Sequence, residues 1–183
     1  MSGRLIYLMG PSGSGKDSLL EAVRERVLSA GGQIARRVIT RSPEAVGEDA
    51  LGVSPQRFEQ MLAEGAFALH WRANGLAYGI PRQIDEWLAE GRDVLVNGSR
   101  GHLAEARQRY PELHPVLLTV EPQELRQRLL ARGRETAEEI EARLARNGHV
   151  RLDDESCQRL DNSGSLAQTA EALLRLIRGR ACA

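Results

Sequence analysis

The chain has 183 residues, with 25 Lys+Arg set against 25 Asp+Glu for a formal net charge of zero. That length suits one α/β domain with a sizeable core, while the charge balance argues against nucleic acid as a main partner and an aromatic content of 4% against a base-stacking platform. Two cysteines, Cys157 and Cys182, make neither a disulfide framework nor a metal-ligand spacing, which fits a reducing, cytoplasmic setting.

The first four residues lead into the apolar run 5–9, too short to span a membrane and followed by no signal-peptide cleavage pattern. Such a run is expected of a strand buried on both faces. Gly10-Pro11-Ser12-Gly13-Ser14-Gly15-Lys16 comes next. Residues 17–30 read as a helix, with Leu19, Leu20, Val23 and Val27 at helical spacing and Gly31-Gly32 as its stop. Residues 34–39 are a second expected strand, and 41–53 a polar loop. Ser54-Pro55 opens a helix with Ser as cap and Pro at its first position, burying Phe58, Met61 and Leu62.

A short strand is expected over 65–71 and a helix over 81–90, ended by Gly91. Residues 94–96 form a core strand that runs into Asn97-Gly98-Ser99 and a helix to Tyr110. Residues 116–120 are another core strand, and Pro122 opens a helix carrying Leu125, Leu129 and Leu130. Arg132-Gly133-Arg134 breaks it, Thr136 to Glu139 fits a capping box for the next helix, and Ser165 to Gln168 fits another. The last helix is amphipathic through Leu166, Ala170, Leu173, Leu174 and Ile177. Strands alternating with helices imply a parallel sheet flanked by helices, a three-layer α/β fold.

The segment 10–16 carries the pattern G-x-x-x-x-G-K of a phosphate-binding loop, between an apolar strand and a helix. Glycines let successive backbone N–H groups point at phosphate oxygens, and the helix adds its positive end. Lys16 is the only lysine; every other basic residue is arginine. A compact ammonium and a planar guanidinium are not interchangeable between phosphates, so this position points to ATP chemistry with Lys16 on the β- and γ-phosphates. After the lysine, where a hydroxyl usually ligates Mg²⁺, stands Asp17, then Ser18. Asp17 is either a hard oxygen ligand for Mg²⁺ or a helix-capping acid near the dipole. The strand 94–96 ends in Asn97 rather than an aspartate.

These segments, with Thr40-Arg41, Gly47-Glu48, Tyr78-Gly79, Arg128-Leu129-x-x-Arg132-Gly133 and Ile140-x-x-Arg143, resemble the guanylate kinase group of P-loop kinases over nearly the whole chain. The resemblance implies a single P-loop kinase domain over 1–183, with an acceptor-binding insertion about 41–80 and a lid about 132–148. Three departures argue against guanine as the acceptor. Glu44 stands where the group has a second phosphate-gripping arginine, Ala68-Leu69 follows Phe67 where a guanine-reading glutamate is usual, and Ile80 replaces the hydroxyl after Tyr-Gly. A site built to hydrogen-bond a base loses its selectivity with those partners.

A narrower resemblance rests on Gly15-Lys16-Asp17-Ser18-Leu19-Leu20, Trp71-x-x-x-Gly75-Leu76-x-Tyr78-Gly79-Ile80-Pro81, Val96-Asn97-Gly98-Ser99-Arg100 and Leu160-Asp161-Asn162-Ser163-Gly164. These look like the ribose 1,5-bisphosphate phosphokinase family of bacterial phosphonate utilisation, in which aspartate after the loop lysine is expected. The resemblance implies ATP as co-substrate with Mg²⁺, and a sugar phosphate as acceptor. It implies that Arg132 and Arg143 close with the lid onto the transferring phosphoryl group, and that Arg41 and Tyr78 contact the acceptor phosphate.

Arg72, Arg82 and Arg100 are further acceptor candidates or ordinary surface arginines. The loop 160–164, with Asn162, is an adenine contact by the same resemblance or an Asx-type turn. Arg126, Arg128, Arg134 and Arg146 read as solvated or salt-bridged helix residues, His70, His102, His114 and His149 as structural, and Trp71 and Trp87 as core anchors. A nucleoside monophosphate kinase and a non-catalytic binding module are the rival readings. No membrane or nucleic-acid partner is expected, and the assembly is left open, a homodimer being one option.

Overall fold

The computed structural model describes residues 2–11, 13–41, 49–149 and 156–179; Ser12 of the phosphate loop and the pair Gly47-Glu48 lie outside them. In chain order the strands are β1 (Leu5–Met9), β2 (Gln33–Ile34), β3 (Val38–Ile39), β4 (Leu51–Gly52), β5 (Phe67–Ala73), β6 (Leu76–Pro81), β7 (Val94–Asn97), β8 (His114–Thr119) and β9 (Gln158–Asp161). The helices are α1 (Lys16–Ser29), α2 (Pro55–Ala63), α3 (Gln83–Ala89), α4 (Leu103–Arg109), α5 (Pro122–Arg132), α6 (Ala137–His149) and α7 (Leu166–Arg178), with a 3₁₀ turn at Arg100–His102.

The main sheet is five-stranded and parallel, in the order β2-β7-β1-β8-β9, and helices flank it. All five residues of β1 are buried, as an apolar run in a two-sided sheet requires. Both capping boxes form. The Thr136 hydroxyl accepts from Glu139 N–H (3.2 Å), and the Glu139 carboxylate accepts from Thr136 N–H (2.8 Å). Ser165 and Gln168 make the same reciprocal pair before α7.

A second sheet, in the order β4-β3-β6-β5, departs from the expected all-parallel pattern. Residues 34–39, expected as one strand, form two. β2 pairs with β7 in the main sheet, and β3 joins β4 and β6 in the other. β5 and β6 are an antiparallel hairpin that turns at Asn74-Gly75, both at positive φ (53° and 75°). This is the residue pair that a tight hairpin favours. Pro81 therefore ends a strand, and α3 starts at Gln83. Gly79 is required in β6, because a Cβ there would lie 2.5 Å from the Phe67 ring. Of the three leucines expected on α5, Leu130 is exposed, while Leu125 and Leu129 form the helix's apolar contact with Ile140 of α6.

By backbone contacts the chain divides into two compact units, residues 1–7 with 24–114, and residues 8–23 with 115–183. In the first unit, the Tyr7 hydroxyl donates to Ser99 O (2.8 Å) and accepts from Ser99 N–H (2.9 Å). A Cβ at Gly98 would meet the Tyr7 ring at 2.2 Å, so glycine lets the ring lie against the backbone after β7. Burial pushes the Tyr7 pKa up from 10.0 to about 12. Between those values the folded chain keeps a proton that the unfolded chain releases. The resulting stability, about 2–3 kcal/mol, is complete below pH ~10 and lost as pH rises to ~12. Denaturant titrations across that window should show the loss, and Tyr7→Phe should flatten it.

Candidate active site

The second unit contains the phosphate loop. Gly13 and Gly15 adopt positive φ (86° and 92°), a conformation that side chains other than glycine resist. Space forbids side chains as well. A Cβ on Gly13 would sit 2.9 Å from Leu129 Cδ2, and one on Gly15 2.7 Å from Asn162 Nδ2. The loop thus rests on α5 and on the segment after β9. Lys16 is the first residue of α1, and its ammonium donates to Gly10 O at 3.0 Å. Asp17 and Ser18 follow in the first helical turn, both exposed.

Asn162 is 3% exposed, and both polar ends of its side chain are engaged. Its Nδ2 donates to Ser14 O (2.8 Å), and its Oδ1 accepts from the Thr169 hydroxyl (2.6 Å). Asn162, expected within an adenine-contacting loop, thus also braces the phosphate loop. Its neighbours form the Asx-type turn, with Ser163 N–H on Asp161 Oδ1 at 3.0 Å. Asn162→Ala would leave the Ser14 carbonyl and the Thr169 hydroxyl without these partners. A stability loss of about 1–3 kcal/mol is expected by denaturant unfolding, with a raised KM for ATP as the loop loosens.

Arg132 ends α5 before Gly133, a left-handed C-cap (φ 64°), and its side chain is exposed. Arg143 lies on α6 and forms an ion pair with Glu135. Its pKa is held below the ordinary arginine value by burial first, then by the charges of Arg146 and Arg132. Residues 132–146 thus gather three arginines whose mutual repulsion a polyphosphate would relieve. Arg126 and Arg128 are structural instead. Arg126 pairs with Glu141 at 2.6 Å, while Arg128 pairs with Glu124 at 3.0 Å and donates to Asn162 O at 2.7 Å.

The first unit carries the acceptor candidates. The Thr40 hydroxyl accepts from Ala77 N–H (2.8 Å), which holds the end of β3 against β6. Arg41 follows it, half-buried, and Tyr78 lies across from Ile39. Tyr78 stacks on Trp71 (centroids 5.5 Å, 7° between planes), and Trp71 stacks on His102 (5.3 Å). Over these rings lies the guanidinium of Arg37, 4.9 Å from the Tyr78 centroid and 5.9 Å from that of Trp71, donating to Asn97 O at 3.3 Å. Arg37 is 9% exposed. Sequence reasoning missed it, although a charged pair, Arg36-Arg37, in the middle of an expected core strand was a visible signal.

Arg100 opens the 3₁₀ turn, half-buried, and its side chain makes no hydrogen bond or ion pair with other described residues. The other two candidates stand apart from the aromatic stack. Arg72 neighbours Trp71 in β5, so strand alternation turns it to the opposite face, where it is 65% exposed and paired with Glu59 of α2. Arg82 is exposed and reaches Gly65 O at 3.5 Å. The Nε2 of His102 is buried without a hydrogen-bond partner among the described residues, and burial lowers its pKa.

Comparison with known proteins places this geometry. The family model described as AAA domain matches residues 6–160. A ribose 1,5-bisphosphate phosphokinase PhnN from Azotobacter vinelandii is 86% identical over 183 residues, covering 100% of both chains. One from Pseudomonas paraeruginosa is 65% identical over 185 residues, again covering 100% of both. Among solved structures, guanylate kinase from Anaplasma phagocytophilum superposes with a TM-score of 0.70 at 18% identity, covering 100% of this chain and 88% of that one, a likeness of fold.

Proposed function

The chain belongs to the ribose 1,5-bisphosphate phosphokinase family, and from that premise we propose that it converts ribose 1,5-bisphosphate and ATP to 5-phosphoribosyl 1-diphosphate and ADP, in phosphonate utilisation. The observation that carries this reading is an acceptor region whose polar groups suit phosphates and whose base-reading positions are apolar. Ala68 and Ile80, where a guanylate kinase would hydrogen-bond guanine, are 8% and 0% exposed. The cysteine usage and the small-molecule substrates suit a cytoplasmic enzyme, and among the described residues no helix is long and apolar enough to cross a membrane.

The chemistry asks little of side-chain acids and bases. An oxygen of the 1-phosphate, already ionised near neutral pH, attacks the γ-phosphorus. The bond from that phosphorus to the β,γ-bridging oxygen breaks, and ADP leaves with the electron pair. The protein's task is to position two polyanions and neutralise charge on the group in transfer. Lys16 and the loop N–H groups hold the β- and γ-phosphates. Arg132 and Arg143 supply the lid cations, each fork able to hold two phosphate oxygens. Arg41 and Tyr78 hold acceptor phosphate.

Mg²⁺ bound with nucleotide usually takes one or two protein oxygens and keeps several waters. Asp17 and Ser18, both exposed in the first turn of α1 beside Lys16, fit that demand. When bound, the cation would offset charge on the β- and γ-oxygens. Asp17→Ser is expected to raise the Mg²⁺ concentration giving half-maximal rate; unchanged activity and Mg²⁺ dependence would assign Asp17 to helix capping alone. The acceptor is tested by assaying ADP release with ribose 1,5-bisphosphate, GMP and AMP in parallel. Turnover confined to the bisphosphate is expected, and faster turnover on GMP would overturn the reading.

A further inference from the structure

Ribose 1,5-bisphosphate carries two phosphates, and only one reacts. Building on the function proposed above, we propose that Arg37 and Arg100 form the pocket that recognises its 5-phosphate, the phosphate that takes no part in the transfer. Both belong to the first unit, and both are placed at the end of β7 that is marked by Asn97. Its carbonyl accepts from Arg37 at 3.3 Å, and Arg100 stands three residues further on.

Arg37 has the features of a fixed recognition group. The residue is 9% exposed, and its guanidinium lies over the Tyr78 and Trp71 rings at 4.9 and 5.9 Å. A cation braced on aromatic faces keeps its N–H edges in a fixed direction, so little rotamer entropy is lost when an anion binds. Arg100 supplies the second charge. It is half-buried, and its side chain is without a hydrogen bond or ion pair among the described residues, so an incoming dianion would supply its missing counter-charge. His102, stacked on Trp71 in the same 3₁₀ turn, adds a buried Nε2 with no partner as a third polar edge.

Tyr78 borders both phosphates, its ring lying under Arg37, and position along the sheet sets Arg37 apart from Arg41. β3 pairs Val38 with Gly79 and Ile39 with Tyr78, so one step further places Arg37 opposite Ile80. Arg41 lies past the other end of β3. The two arginines are thus at opposite ends of one short strand, as a substrate with a phosphate at each end of its sugar would need. Rigid arginines suit the spectator phosphate, whose charge is the same in ground and transition states.

The test separates the two phosphates by removing one. Binding of ribose 1,5-bisphosphate and of ribose 1-phosphate is measured calorimetrically for the wild-type chain, Arg37→Met and Arg100→Met, with thermal melts confirming folding. Each substitution is expected to raise Kd for the bisphosphate on the order of 10²-fold; Kd for ribose 1-phosphate stays within about twofold in Arg100→Met and changes far less than that for the bisphosphate in Arg37→Met, whose side chain also rests on Tyr78. Equal losses on both ligands, or no loss from either substitution, would overturn the proposal. Should Arg37→Met melt below the assay temperature, Arg100→Met and Arg37→Lys carry the same comparison. A wild-type chain that binds the bisphosphate more tightly than ribose 1-phosphate yet transfers no phosphoryl group would refute the reaction and leave this pocket standing.

Discussion

Lys16→Met lowers kcat by about 10²–10³-fold while the chain stays folded, the expected cost of removing one preorganised charge from a phosphoryl-transfer site. Lys16 begins α1, is half-exposed, and donates to Gly10 O at 3.0 Å. The ammonium already lies within the loop that receives phosphates, so binding asks it only to exchange a carbonyl for phosphate oxygens. Lys16→Arg is the sharper variant, because it keeps the charge and makes the chain wholly lysine-free. The bulkier planar head does not reproduce a compact ammonium set against the Gly10 carbonyl and phosphate oxygens. At least a tenfold loss is expected, equivalent to ~1.4 kcal/mol of transition-state stabilisation. Steady-state kinetics beside a thermal melt checks both; near-normal activity in the arginine variant would make the lone lysine an accident of composition.

Arg143→Met is expected to lower kcat by about 10³-fold, the lower range for an arginine that neutralises charge in phosphoryl transfer, with ATP affinity changed far less. Arg143 is paired with Glu135, and burial, Arg146 and Arg132 all act to weaken its hold on a proton. An arginine held by a carboxylate beside two like charges has a ready reason to exchange that carboxylate for phosphate. Removing it costs the transition state, where charge is greatest, more than the ground state. Single-turnover measurement of the transfer step, with nucleotide affinity measured separately, distinguishes the two. A variant that loses ATP binding and keeps its transfer rate would assign Arg143 to ground-state binding.

The main sheet was legible from residues alone because parallel strands buried on both faces read as apolar runs, as at Leu5–Met9 and Val94–Asn97. The helix starts were legible because Ser54, Thr136 and Ser165 each sit where a side-chain oxygen can meet an orphan N–H. The second sheet was not. β3 and β4 have two residues each, too few for any periodicity, and the β5–β6 hairpin announces itself only through Asn74-Gly75.

The site followed the same division. The phosphate loop is a contiguous pattern, so its glycines, Lys16 and Asp17 stand out in one dimension. Asn162 is 148 residues from Ser14, and no local pattern predicts that its amide braces that carbonyl. Arg37 gains its meaning only from the rings of Trp71 and Tyr78, which the second sheet brings beneath it. Among so many arginines, sequence alone could not separate it or Arg100 from Arg72, whose place on the far face of β5 follows from the hairpin register.

Incubation of the protein with Mg·ATP and ribose 1,5-bisphosphate, followed by ³¹P NMR, tests the reaction most directly. The account predicts a new diphosphate pair, with one phosphorus attached at C1 of the ribose, growing as ADP grows and with the 5-phosphate resonance unaltered. ADP without a C1 diphosphate, or turnover on GMP with none on the sugar bisphosphate, would contradict it.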